Sequence, residues 1–368
     1  MPYFALLLST ALLGQGHAKL EYHQRLDHAV HMPVAVSPDG KKLLYFTRKT
    51  TATDMELDSE EAECVYTLAD IDGANQRILF ESPVEEMFLN SLVTDRSFSA
   101  DGKEIVVATT DNGQSLTNQQ DGGQLLPLVI SQDGKNQRIK CELGSCGGFG
   151  FLKQGLLVLD TPGLLGGVGY RLSLHKDGEV QRIQSDDKVA ASCLRISPDG
   201  AKAAFFISSH VASGVVRLRC VDLSSGKAID SPEFRSHSAT FAGRPQLFWD
   251  DTSEGVYCHV STHPQSSWPN EATHYNFDQQ AGSVIPARRE SHLSCTLGDG
   301  LVGFWDLDGD TSSVWDSKTK TFYQLPEGNY VLGGRGDRMV VADDERQAVY
   351  ATSVKLTAER RSSPPDDR

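Results

Sequence analysis

Two segments of the chain end alike. Ile207-Ser208-Ser209-His210 and Val260-Ser261-Thr262-His263 each pass from an apolar residue through two hydroxyls to an imidazole. Two imidazoles side by side, joined by a third nitrogen or a carboxylate, make a ligand set for a divalent metal. Further candidates recur along the chain: His31, His237 and His292, with Asp111, Asp160, Asp306 and Asp343. A metal on His210 and His263 would support lyase or hydrolase chemistry on a sugar or a lactone. Without a metal, the same residues would simply rim a water-filled opening. Trp268 stands among polar residues in Thr262–His274. It could stack on a sugar or anchor a partner, or fold back onto its own sheet.

These residues meet only if the elements carrying them repeat in register, and the chain does repeat. Ser37-Pro38-Asp39-Gly40 precedes KKLLYFT, Ser99-Ala100-Asp101-Gly102 precedes KEIVVAT, and Ser197-Pro198-Asp199-Gly200 precedes AKAAFFIS. Each reads as a tight turn followed by a strand. Pro sets φ at the second turn position and Gly supplies positive φ. Looser versions precede LLVLD, VYCHV, LVGFW and RMVVAD. A second repeat alternates with the first: DGANQRI at 72–78, DGKNQRI at 133–139 and DGEVQRI at 177–183, with degenerate copies after residues 222, 278 and 316. Asp-Gly at such a place joins two strands in a hairpin.

Each unit therefore reads as four strands in an up-and-down meander, recurring every roughly 40–60 residues, which is the pattern of a propeller blade. The expected fold is all-β: a seven-bladed β-propeller of four-stranded antiparallel blades over residues 19–357. The last unit lacks a fourth strand at the C-terminal end. Tyr22-His23-Gln24-Arg25-Leu26 resembles the fourth strands at 75–78 and 136–139, so the N-terminal strand is expected to close the last blade. Residues 358–368 are polar and proline-bearing and are expected to form a disordered tail.

The Ser-Pro-Asp-Gly turns followed by Lys-x-apolar strands resemble the PD-type, WD-like repeats of TolB and of the propeller domains of prolyl-oligopeptidase-like enzymes. The resemblance covers nearly the whole chain and implies a fold, not an activity. The additional α/β domain of TolB is not expected within these residues, nor is the hydrolase domain of the peptidases, whose Gly-x-Ser-x-Gly elbow does not occur in them.

Composition narrows the function. The chain has 368 residues, with 35 Lys and Arg against 49 Asp and Glu, and a formal charge of −14. No basic cluster is present to displace counterions, so nucleic acid is not an expected partner. Phe4–Leu13 is apolar but too short to span a bilayer, and Gly16-His17-Ala18 offers small residues to a signal peptidase. Residues 1–18 are therefore expected to be an export signal, and the chain periplasmic or secreted, with no membrane span. There are seven cysteines. Cys141 and Cys146 could pair across a short loop, while the others sit in apolar runs as small buried hydrophobes. No CxxC pair suggests structural zinc, and Asp306–Asp310 lacks the later Gly and Glu of a loop-type calcium site.

Segments after the second strands are long and irregular: 48–63, 111–124, 161–167 and 262–273. Long loops on a rigid scaffold are where binding resides. The first ends in carboxylates, which are either solvated or a surface for a basic partner. The leading expectation is a monomeric, non-catalytic module that binds a periplasmic or extracellular protein, peptide or glycan through this face. The alternative is the metal-dependent lyase or hydrolase, with a divalent metal as the one cofactor to consider.

Overall fold

The structure, a computed structural model, describes residues 14–26, 30–48, 64–82, 93–110, 124–131, 135–162, 168–209, 215–235, 247–259, 272–285, 291–306, 312–343 and 348–358. Strand β1 (Gly14–Leu26) comes first. It is followed by a meander of β2 (Val30–Val36), β3 (Lys42–Arg48), β4 (Cys64–Asp70) and β5 (Arg77–Ser82). The next group holds β6 (Glu104–Thr110), β7 (Leu125–Ser131) and β8 (Asn136–Arg138). Then come β9 (Ser145–Leu152), β10 (Gly155–Thr161), β11 (Tyr170–Lys176) and β12 (Glu179–Asp186). The following group is β13 (Ala190–Ile196), β14 (Lys202–Ser208), β15 (Val215–Asp222) and β16 (Ala228–Asp230), with β17 (Phe234–Arg235) paired to the start of β15. The chain continues through β18 (Leu247–Trp249), β19 (Gly255–His259), β20 (Ala272–Asn276) and β21 (Ala281–Ile285). It then forms β22 (Ser291–Gly298), β23 (Leu301–Asp306), β24 (Ser312–Asp316) and β25 (Thr321–Gln324). The final strands are β26 (Asn329–Arg335), β27 (Arg338–Asp343) and β28 (Ala348–Ala358).

The Ser-x-Asp-Gly turns are built by side chains. Ser37 Oγ donates to Asp39 at 2.6 Å and accepts from Lys42 N at 2.9 Å, while Asp39 accepts from Lys41 N at 3.1 Å. The same pattern recurs at Ser99, Asp101, Lys103 and Glu104. It recurs again at Ser197, Asp199, Ala201 and Lys202. In each turn the Gly amide bonds back to the Ser carbonyl, with φ between 70° and 75°. Ser-Asp hydrogen bonding thus encodes the turn locally, and Gly closes it. Asp177-Gly178, both at positive φ, make the two-residue hairpin between β11 and β12.

Apolar residues fill the spaces between successive groups. Leu157, Leu172 and Tyr170 pack against Leu194 and Phe205. Phe206 and Leu218 meet Leu247, Trp249 and Tyr275. Tyr257 and Ile285 meet Phe304 and Trp315. Val314 and Leu297 meet Val341 and Val354. Leu332, Val340 and Val349 meet Val34, Leu43 and Tyr45, returning to the first group. The first elements of the groups also touch in order: β2 the 3₁₀ turn Asp95–Ser97, that turn β9, then β9 with β13, β13 with β18, β18 with β22, β22 with β26, and β26 with β2. Close approach is allowed by glycine in β9. A Cβ on Gly148 would lie 2.6 Å from Leu194 Cβ, and one on Gly150 would lie 2.8 Å from Arg96 Cβ.

The groups differ in detail from a uniform four-stranded repeat. Among the described residues the second group shows no full first strand; Asp95–Ser97 is a 3₁₀ turn, and Phe98 makes a single bridge to Ile105. Thr94 and Ser97 cap each other there, and the coil sends Arg96 to the carbonyls of Ser197 and Pro198 at 2.6 and 2.5 Å. The N-terminal strand does pair antiparallel with β28, but it begins at Gly14, ahead of the processing point expected at Ala18. β28 itself runs to Ala358, while residues 359–368 lie outside the described residues. Among the described residues the hydrogen-bonded strands form five open sheets, one of twelve strands, and none of these closes on itself.

The turn network gives a direct test. Ser197 is fully buried, so Ser197→Ala leaves Lys202 N without its side-chain acceptor. The expected cost is about 1–2 kcal/mol, read as a lower urea midpoint at unchanged slope. An unchanged midpoint would show that the hydroxyl contributes nothing to the turn.

Candidate functional site

Within each group the second strand runs away from its tight turn, so the exits of β3, β6, β10, β14, β19, β23 and β27 lie at the ends remote from the turns. His210 and His263, with Asp111, Asp160, Asp306 and Asp343, are expected at or near these exits. Trp268 is expected in a segment that follows one of them, and His31, His237 and His292 in the connectors into first strands on the same face. Asp111, His210, His237, His263 and Trp268 lie outside the described residues. His31 pairs with Phe46 in β2 and His292 with Trp305 in β22, but their side chains also fall outside the description. Among the described residues, no three His, Cys, Asp or Glu side chains gather in a way that could hold a metal.

Asp160, near the end of β10, is described in full. It is 6% exposed, and its two carboxylate oxygens accept from Leu143 N at 3.1 and 2.9 Å. The carboxylate thus holds the 141–144 loop ahead of β9. Glu142 on that loop is gripped from outside by Arg171 at 2.5 Å and Arg182 at 3.0 Å. Burial pushes the Asp160 carboxyl above its ordinary value of 3.8, with the Leu143 amide working the other way. Cys146 pairs in register with Asp160. Burial, then the neighbouring Cys141, drive its thiol well upward, so it is a poor nucleophile. Cys141 and Cys146 are free, buried thiols, and the pairing left open by the sequence is not formed. The other five cysteines are buried, as the apolar runs implied.

Two polar clusters escaped the sequence reading. The first is at the turn between β18 and β19. Asp250 fills the place Ser holds in the other turns: its amide donates to the Gly255 carbonyl at 2.9 Å, and its carboxylate accepts from Thr252 Oγ1 at 2.9 Å. The other oxygen meets His274 Nε2, on the third strand of the same group, at 2.7 Å. Burial works against the Asp250 charge, but His274 and Thr252 hold its carboxyl below the ordinary range. His274 packs on the Tyr257 ring at 4.9 Å. Asp251, one residue on, reaches the Gly300 amide of the next group. The pair has the form of an acid–base dyad, yet every contact described fastens a turn.

The second cluster centres on Arg219 in β15. Its guanidinium meets both oxygens of Asp230 at 2.6 and 2.7 Å, Asp186 at 3.0 Å and the Tyr170 hydroxyl at 2.8 Å. Burial opposes its charge, and Asp230 with Tyr170 more than restores it, so its pKa is raised. The bidentate fork to Asp230 stays within the β13–β16 group, while the bonds to Asp186 and Tyr170 tie that group to β9–β12. The sequence does carry a trace: Arg217 and Arg219 share one face of an otherwise apolar strand.

Two measurements follow from these assignments. Arg219→Met strands Asp230 and Asp186 beside a buried face, with an expected loss of about 3–5 kcal/mol by denaturant unfolding; a change below about 1 kcal/mol would place the pair among screened surface contacts. Asp160 has the opposite sign from a salt-bridged carboxylate. Because its folded pKa is raised, the folded chain holds the proton that the unfolded chain loses near pH 3.8. Stability therefore falls as pH rises from 3.8 through the raised value, and Asp160→Asn removes that slope. The variant should gain on wild type in thermal midpoint across that window, and a pH-independent difference would refute the assignment.

No family model and no curated protein matches the chain. Solved structures do. The Swd1 β-propeller domain of Myceliophteria thermophila superposes with a TM-score of 0.57 at 10% identity, covering 92% of this chain and all of that one. A chain of a mitotic checkpoint complex superposes with a TM-score of 0.53 at 10% identity, covering 96% of each. At this identity the likeness concerns fold alone. Strand order, packing between successive groups and these superpositions agree that the chain is a β-propeller.

Proposed function

We propose that the chain is an exported, TolB-like propeller of seven blades over residues 19–357, closed by its own N-terminal strand, that acts as a non-catalytic, monomeric binding module. The closure is supported by the order of first-element contacts, which starts and ends at β2, and by the antiparallel pairing of β1 with β28. One observation carries the functional reading. Described polar groups with the look of chemistry are spent on internal partners: Asp160 on Leu143, Asp250 on His274 and Arg219 on Asp230. That leaves recognition to the long segments after the second strands.

The partner is a periplasmic or extracellular protein, peptide or glycan, met by Trp268 and by the polar set His31, His210, His237, His263, His292 and Asp111. A propeller chain within a mitotic checkpoint complex is in keeping with a binding role. No helix among the described residues is long and apolar enough to cross a membrane.

The test uses the full chain. Capture from periplasmic or culture extract should yield a partner whose binding falls at least about tenfold with Trp268→Ala, since one buried aromatic anchor is worth about 2 kcal/mol. Elemental analysis should find no stoichiometric metal. Turnover of a sugar or lactone with about one metal per chain, lost in His210→Ala/His263→Ala, would overturn this reading in favour of metal-assisted lyase or hydrolase chemistry.

A further inference from the structure

The first residues of β1 occupy an unusual place. Gly14–His17 pair in parallel with Thr321–Gln324 of β25. On the other side, Gly16–Ala18 pair antiparallel with Leu356–Ala358 of β28. One short strand thus covers the outer edge of one group and the outer edge of the next. β28 reaches beyond its neighbour here: its pairing with β27 ends at Ser353, and from Lys355 onward its recorded strand partner is β1.

The slot between these edges has a demanding shape. Gln15 and His17 face outward, while Gly16 and Ala18 face inward. A Cβ on Gly16 would stand 2.6 Å from the Thr357 carbonyl and 2.6 Å from the Tyr323 ring. Ala18, 7% exposed, packs with Leu297, Val314 and Val354. The inward pattern is therefore Gly-x-Ala, followed by the partly buried Leu20. Without the strand, two edges would show unpaired N–H and C=O groups a strand's width apart, which is the template for strand addition.

We propose that this slot is a strand-acceptor site with a Gly-x-Ala code, filled in cis by Gly14–Ala18 and open to an extended polypeptide segment of the same pattern when those residues are withdrawn. It lies on the outer rim and is independent of the loop-side binding proposed above. Gly16 and Ala18 are also the small residues a signal peptidase would read. Cleavage at Ala18 would remove the resident strand and leave residues 19–26 on β28, so the same residues would set both processing and vacancy.

Gly16→Val in the full chain expels the resident strand by steric clash. A labelled peptide of residues 13–19 (LGQGHAK) should then bind the variant at least about tenfold more tightly than wild type, read by fluorescence anisotropy, and the same peptide with Gly16→Val should not bind. A folded variant that ignores both peptides, or binds both alike, overturns the proposal, as does equal binding by wild type. Should the variant not fold, hydrogen exchange on the wild-type chain decides. The amides among Lys355–Ala358 that point at β1, every second one in an antiparallel ladder, are expected to be slowed at least about a hundredfold relative to an unstructured peptide, and their exchange at the free rate would overturn the assignment.

Discussion

An antiparallel sheet with two apolar faces can exist in water only if both faces are covered. That constraint organises this molecule. The strands of the inner groups are buried along most of their length; β10 is covered from Leu156 to Thr161 and β14 from Ala203 to Ser208. No group can cover itself, so each lies against the one before and the one after. The core is consequently a succession of apolar layers, each shared by two neighbours, and the last layer joins Leu332 and Val340 to Val34 and Leu43.

Such layering sets strict terms for the turns. Adjacent sheets stay in register only if each group reverses at the same height. The Ser-x-Asp-Gly turn does this with hydrogen bonds internal to six residues, which is why it repeats almost unchanged at 37–42, 99–104 and 197–202. Neighbouring turns then touch. Asp199 N meets Ser253 Oγ, and Arg335 meets the Pro38 carbonyl at 3.0 Å. A side of the molecule locked in this way has little freedom to accept a ligand. The segments that leave the opposite ends of the same strands differ in length and composition.

Legibility in the sequence followed the range of the interactions. The turns were readable because their hydrogen bonds connect residues at most five apart. The buried cysteines were readable because apolar neighbours in a strand imply a covered face. Arg219 with Asp186, and His274 with Asp250, were not, because their partners lie 33 and 24 residues away and no motif fixes the spacing. Asp160 was legible as a strand-end carboxylate but not in its role, since a carboxylate that binds a loop amide looks the same in sequence as one facing a channel. The short first strand of the second group was hidden for a related reason: Thr94–Ser97 is a local cap, yet its consequence is Arg96 reaching residues 197 and 198.

The N-terminal strand shows why residue type alone underdetermines position. A stretch of small residues before an alternating strand satisfies two different physical demands, access for a peptidase and close approach of backbones. Gly16 meets the second: a Cβ there would stand 2.6 Å from the Thr357 carbonyl, closer than a side chain tolerates. The pairing of Tyr22–Leu26 with Thr352–Val349 depends on alternation and was recoverable from its likeness to other outer strands. The contact of Gly14–His17 with β25 depends on where two separate sheets end in space. That information exists only after the layers have assembled, and it is there that sequence periodicity stops and three-dimensional packing takes over.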